Sequence, residues 1–288
     1  MAVRIIDRPM ARSGLGVWAG GWFRPAVWIA GTYLALMLAW ALAPSLFTSE
    51  SPYDTDIEAP LQVPSWEHWF GTDASGRDIY TRVVYGTQSS LAIGVGATAL
   101  ALSVAIVFGL ASGLGGRFTD GAISRFLEVG LALPGMLVAL LFIAMLGPGA
   151  ATQIVAVAIG SAAGYARMIR GQVLAVKDSG YVSAAIALGH PPHRIVGRHI
   201  FPNAMRPLVV LGTMGVGQSI VWASSLSFLG LGVAPPAPEW GAMLNAGRDF
   251  VSTAWWLEVF PGLAIVGCTL AVTVVGRYLQ QRLEGRLK

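Results

Sequence analysis

Long apolar runs, nearly free of charge, alternate along this chain with shorter polar connections. Six stand out: about Val27–Phe47, Ser89–Leu114, Phe126–Leu146, Ala151–Met168, Leu208–Val233 and Leu257–Tyr278. Each is close to the roughly 20 residues a helix needs to cross the hydrocarbon of a bilayer. Backbone polar groups in lipid have no water to bond, so such runs satisfy themselves internally, as helices. The two-residue alternation of a membrane barrel strand is absent. The pattern therefore predicts an all-α polytopic membrane protein of about six transmembrane helices.

Residue size refines this picture. Gly and Ala crowd the second, fourth and fifth spans (Gly94, Gly96, Gly160, Gly164, Gly212, Gly215 and Gly217 among them). Small residues let helices approach closely in a bilayer, which places these three spans inside a bundle. The first span, richer in Leu and Trp, is expected to face lipid. It is longer than the apolar core of a signal peptide, so it is read as a span despite Ala41-Leu42-Ala43 near its end. Gly147-Pro148-Gly149 allows only a tight hairpin between spans three and four.

Composition agrees with a lipid environment: 55% of the 288 residues are hydrophobic and 12% charged, about half the charge of a soluble domain. The net charge of +4 matters less than its placement. Sixteen of the 19 Lys and Arg residues fall before span one, between spans two and three, between four and five, or after span six, counting Arg167 and Arg277 at the ends of spans four and six with the connections they adjoin. Only Arg77, Arg82 and Arg248 lie in the alternate connections. Positive residues stay inside, so both termini are expected in the cytosol of a cell with this chain in its inner membrane. The implied layout is a tail at 1–25, a first helix at 26–48 and an extracytoplasmic loop at 49–87. A five-helix core at 88–280 with a cytosolic loop at 178–207 and a tail at 281–288 complete it. The 49–87 loop is acidic, and Pro52, Pro60 and Pro64 make it extended and irregular ahead of a short helix.

Several chemistries are excluded by what the spans lack. The only lysines, Lys177 and Lys288, follow Val176 and Leu287, so there is no phosphate-binding Gly-Lys-Ser/Thr. The span interiors carry essentially no ionisable groups, against a proton-coupled carrier; a secondary transporter coupled to sodium through backbone carbonyls, or a channel, stays as the alternative of another class. They hold no His and no carboxylate pair, against an intramembrane enzyme. His190, His193 and His199 match no standard metal-ligand spacing. The single cysteine, Cys268, sits in an apolar run as a small hydrophobe. Glu128 is expected beside Arg125 on one helical face near the membrane surface. Gln218, Ser224 and Ser225 in span five are candidates to line a pore.

The loop between spans four and five is too regular for a solvated linker. It predicts two short helices meeting at a corner between Gly189 and Pro192, with Ile195, Val196, His199 and Ile200 at helical spacing. Ala184, Ala185 and Gly189 are expected to form a small-residue surface for another protein. This stretch resembles the cytosolic signature of ABC importer permeases: Glu-Ala-Ala, three residues, Gly, then a hydrophobic pair ending in Pro. The match lies at Ala184, Ala185, Gly189, Ile200 and Pro202, with Ser183 where the family usually has Glu.

Two further stretches are similar to the C-type permeases of the dipeptide/oligopeptide/nickel class. They are Phe70-Gly71-Thr72-Asp73-Ala74-Ser75-Gly76-Arg77-Asp78, and Ser227 to Gly232 with Pro235 to Gly241. The likeness covers about Trp66 to Gly276, whereas Val274 to Tyr278 departs from the family pattern. The resemblance implies a type I ABC importer permease fold and import of short peptides, with nickel or another small solute as the alternative. It implies that Ser183, Ala184, Ala185, Gly189, His190, Arg194 and Pro202 couple the chain to a separate ATPase. It also implies that ATP and Mg are bound by partner subunits and no cofactor by this chain. The expected partners are a homologous B-type permease, one or two ATP-binding cassette subunits, an extracytoplasmic solute-binding protein and membrane lipid, with no nucleic acid. Asp73, Arg77, Asp78, Glu239 and Trp240 are the expected gate or binding-protein contacts.

Overall fold

A computed structural model describes residues 23–283. The basic tails expected at 1–25 and 281–288 lie mostly outside these residues. Ten α-helices run in the order α1 (Phe23–Leu42), α2 (Ile79–Leu114), α3 (Arg117–Ala132), α4 (Gly135–Leu146) and α5 (Ala150–Lys177), followed by α6 (Gly180–Ala187), α7 (Pro192–Ile195), α8 (Phe201–Phe228), α9 (Trp240–Gly247) and α10 (Trp256–Leu283). There are no strands among the described residues, only an isolated bridge between Thr72 and Asp78.

Among the described residues, four helical stretches are long and apolar enough to cross a membrane: Pro25–Leu42, Ile79–Leu114, Pro192–Phe228 and Trp256–Leu283. A fifth crossing results if α3 and α4, bent by 87°, are counted as one span. The sixth expected span is α5. Its 28 residues reach about 42 Å at 1.5 Å per residue, more than a hydrocarbon core requires. Thr152, Gln153, Gly160, Ser161 and Gly164 make it less apolar, and it lies deep in the bundle, packed on α2, α4 and α8.

The small-residue helices α2, α5 and α8 do pack on one another. Where α4 meets α5, a Cβ on Gly135 would lie 2.6 Å from the Gly160 carbonyl oxygen, so only glycine permits that approach. From residue 25 onward the first helix buries only Ala30 and Met37 and leaves Trp28, Ile29 and Leu42 exposed. The 147–149 connection is the tight turn expected, with Gly147 and Gly149 both at positive φ.

Several boundaries differ from the hydropathy reading. The first helix stops at Leu42, short of Phe47, because Pro44 opens a separate 3-10 turn. The second begins at Ile79, ten residues before Ser89: Asp78 accepts the Thr81 N–H at 2.7 Å and caps it. The third span is broken. Leu133 takes an extended backbone ahead of Pro134, as a residue before proline prefers, and the chain turns there. The short helix expected in the acidic loop is absent; residues 49–78 form turns and bends. Conversely, hydropathy missed α9.

The elements divide the bundle into two ends. The loop end gathers residues 43–78, the 147–149 turn and the segment from Leu229 to Trp255. The hairpin end gathers the α2–α3 turn, α6 and α7.

Candidate functional site

At the hairpin end, α5 passes through Asp178 and Ser179 into α6. The helix stops because Gly189 takes φ +75°, a left-handed conformation that glycine adopts without penalty. The Gly189 N–H donates to the Ile186 carbonyl and the His190 N–H to the Ala185 carbonyl, at 2.9 and 3.1 Å. This pair of bonds closes a helix end with glycine just beyond it. The second helix is not separate, as expected, but continuous with α8. A π turn at Val196–Ile200 precedes Pro202, whose missing N–H frees a carbonyl in the preceding turn.

Burial sorts the coupling residues. Val182, Ala185, Ile195 and Ile200 pack inward against Ala105, Leu127, Ala166, Ile169 and Val173. Ala185 therefore belongs to the core that holds the hairpin on, and the small-residue surface expected of it with Ala184 and Gly189 is not formed. The outer face carries Ser183, Ala184 and Gly189 together with Tyr181, Ile186 and Leu188, which are 46%, 60% and 76% exposed. Arg194 and Pro202 are also exposed. His190 is half-buried, its ring stacked on His199 with centroids 6.1 Å apart. Among the described residues no group of three or more His, Cys, Asp or Glu side chains is placed to hold a metal.

At the loop end, Asp73 organises a clasp. Its carboxylate accepts the Ser75 and Arg77 N–H groups at 2.7 and 3.0 Å and the Arg77 Nε at 2.7 Å. Arg82, on the first turn of α2, stands 3.8 Å from it and donates to the Pro52 and Pro236 carbonyls at 2.9 and 3.1 Å. Arg82 thus joins the acidic loop to the segment before α9 as a buried group, not as a loop charge. Asp78 caps α2 and pairs with His68 at 3.1 Å.

Glu239 and Trp240 are not at the surface expected of a partner contact: both are buried. Glu239 caps α9, accepting the Gly241 and Ala242 N–H groups at 2.9 and 2.8 Å and the Ser90 hydroxyl at 3.3 Å. Trp240 donates from Nε1 to the Val83 carbonyl at 3.1 Å. Together they fasten α9 to α2, because buried polar groups must find partners.

Of the pore candidates, Ser224 and Ser225 line one recess of about 380 Å³ with Met136, Val221, Phe228 and Leu244, among others. Gln218 is exposed and outside it. Two polar features went unread in the sequence. Gln153, fully buried on α5, donates to the Ala223 carbonyl and the Ser227 hydroxyl at 3.0 and 2.8 Å. Asp120 on α3 takes a two-pronged bond from Arg170 on α5. A lone Gln in an Ala-rich run and one Asp in a short basic connection carry no sequence signal of these partners.

Residues 105–288 match the family of binding-protein-dependent transport system inner membrane components. A dipeptide transport system permease protein from Alkalihalophilus pseudofirmus is 40% identical over 248 residues, spanning 86% of this chain and 82% of that one. A glutathione transport system permease protein from Pectobacterium atrosepticum is 38% identical over 262 residues, spanning 90% and 86%. Among solved structures, the MetNI methionine ABC transporter in an inward-facing conformation aligns at a TM-score of 0.58 and 16% identity, over 72% of this chain and 97% of that one. An amino acid ABC transporter aligns at 0.55 and 20%, over 72% and 95%. At such identities these two speak for the fold alone, which is that of an ABC importer permease. By its sequence over most of its length, this chain belongs to the family of inner-membrane components of binding-protein-dependent transport systems.

Proposed function

We propose that this chain forms half of the translocation pathway of an ATP-driven importer of short peptides. In this reading it lies in the inner membrane with both termini cytosolic, as the distribution of basic residues argues. The observation that carries the reading is the hairpin. A compact corner is held inward by Val182, Ala185 and Ile195, while Tyr181, Ile186 and Leu188 face outward and stay exposed among the described residues. An exposed apolar cluster on a rigid support fits a docking site for another protein. The proposed occupant is the ATP-binding subunit, with Ser183, Ala184, Gly189, Arg194 and Pro202 around the contact. His190 braces the corner from within.

ATP and Mg belong to those partners in this account. Closure of two ATP-binding subunits displaces the hairpins and rocks the bundle between two access states. A homologous B-type permease supplies the other half of the path, and a solute-binding protein delivers cargo to the loop end. Ser224 and Ser225 are the proposed wall of the path in this half. Asp73, Arg77 and Asp78 shape the rim of the loop end, whereas Glu239 and Trp240 act there only as internal fasteners. Peptides are the proposed cargo because the relatives at 38–40% identity are named for dipeptide and glutathione transport.

The test is uptake of a labelled dipeptide by cells lacking this chain, with and without restoring it. Uptake is expected to fall on deletion and return on restoration; unchanged uptake would sink the peptide assignment.

A further inference from the structure

The Asp120–Arg170 pair stands at a junction. Arg170 donates from Nε to Asp120 Oδ1 at 2.6 Å and from Nη2 to Oδ2 at 2.7 Å, a planar fork on a carboxylate. The same carboxylate accepts the Ser112 hydroxyl of α2 at 2.5 Å and the Ser124 hydroxyl of α3 at 3.3 Å. Three helices meet on one side chain. Each partner keeps about 30% of its side-chain surface exposed, so the pair is too solvated to be valued for stability alone. A two-pronged bond fixes orientation more firmly than distance, and orientation is what this place in the fold demands.

The reason is how α3 is otherwise held. Of its 16 residues only Leu127 is buried. Ile123 is half-buried beside it and Phe126 stacks on Phe108 of α2, with centroids 5.7 Å apart, while Phe118 is 93% exposed. Besides the ion pair, then, α3 is held by apolar contacts along one face. Its far end meets α4 at the 87° break before Pro134, a natural pivot because proline removes a backbone bond there. Between α3 and its neighbours lies an apolar cleft of about 590 Å³, lined by Phe108, Phe126, Leu133, Phe142, Ile159 and Ala163 among others. The helix therefore has a hinge at one end, open space beside it and a charged fastening at the other end. That fastening grips α5 at Arg170, seven residues before Lys177, where α5 ends and leads into the hairpin.

We propose that α3 is a hinged strap over the apolar cleft, and that Asp120–Arg170 is the latch tying it to the helix that bears the hairpin. When the hairpin is displaced, α5 carries α3 with it and the cleft changes width. Without the latch, hairpin motion reaches α3 only through the apolar packing of Leu127 beside α5, which resists sliding less than a two-pronged bond. Asp120 and Arg170 are positioning residues for the transport step, touching neither ATP nor cargo. This inference rests on the hairpin being the point where the ATPase acts.

The test uses the full complex, with partner permease, ATP-binding subunits and solute-binding protein, in liposomes. Labelled dipeptide imported per ATP hydrolysed is measured. Asp120→Asn is expected to lower this ratio about tenfold, within the usual range of allosteric coupling, while ATP hydrolysis continues. Exchanging the charges (Asp120→Arg with Arg170→Asp) is expected to restore most of it, and Arg170→Lys alone, with charge but no fork, to give a ratio between native and Asp120→Asn. A native ratio in Asp120→Asn would overturn the proposal.

A second measurement needs no transport. Spin labels at Phe118→Cys and Met168→Cys, in a Cys268→Ala background, report the α3–α5 separation. A narrow distribution in the parent that broadens in Asp120→Asn supports the latch; identical distributions overturn it. If the native complex imports no dipeptide, the proposed function fails, and the distance measurement still decides the latch.

Discussion

Leu188 offers the sharpest test of which side of the hairpin meets a partner. Its side chain is 76% exposed at the tip of the corner. Complete burial of a leucine side chain is worth roughly 1.5–3 kcal/mol, so docking has about three-quarters of that still to gain, roughly 1–2 kcal/mol. Truncation to alanine forfeits most of this and is expected to weaken binding of the ATP-binding subunit about tenfold, since each ~1.4 kcal/mol is one decade. Ile186→Ala, at 60% exposure, is expected to cost somewhat less. The pair together need not add, because neighbouring side chains share a partner surface. The assay is titration of the nanodisc-embedded permease pair with fluorescent ATP-binding subunit, read as Kd by anisotropy. Leu46→Ala serves as control: Leu46 is 81% exposed at the opposite end of the bundle and its loss is expected to leave Kd unchanged. A Kd within twofold of native for Leu188→Ala, or equal weakening by Leu46→Ala, would refute the reasoning.

Three other outcomes follow from single positions. At Gly189 an added Cβ meets nothing within 4 Å, so Gly189→Ala costs backbone strain alone, about 1–2 kcal/mol; protease resistance of the hairpin should rank Gly above Asn above Ala. Glu239→Ala strands two buried N–H groups at the α9 cap and should cost about 2–3 kcal/mol in detergent–SDS unfolding. Glu239→Gln keeps an acceptor and should lose less; equal losses would discard the capping role. At Gly76, with φ +74°, a Cβ would fall 1.8 Å from the Asp56 carbonyl oxygen, so Gly76→Ala must push the backbone apart. Faster tryptic cleavage at Arg77 is the expected result, and native cleavage rates would contradict it.

Hydropathy located the long apolar helices among the described residues because lipid imposes one rule on every residue of a span, and the rule survives averaging over a window. It located their ends poorly because ends are set by single side chains. Asp78 begins α2 ten residues early through one capping bond, and Leu133-Pro134 folds the third apolar run through 87° without changing its mean character. The hairpin corner was readable since Gly189 and Pro192 are local punctuation. Which face of α6 points outward was not readable: Ala184 and Ala185 are adjacent and chemically identical, and only the packing of α6 into the apolar cluster beside α5 buries one and exposes the other. For the same reason Glu239 and Trp240, conspicuous as polar and aromatic residues in a proline-rich stretch, proved to be internal fasteners.

By itself, then, the sequence determined the membrane-spanning helical class, the family through its ordered motifs, and the helical corner. Each of these depends on local composition or on residues close along the chain. The tertiary structure alone decided which side chains meet across the bundle. Asp120 and Arg170 lie 50 residues apart, Gln153 and Ser227 lie 74 apart, and Arg82 and Pro236 lie 154 apart. A carboxylate or an amide announces that it needs a partner once buried, but not which one. That choice belongs to the packing of helices, where small residues set how closely two backbones approach and hence which polar groups come within bonding distance.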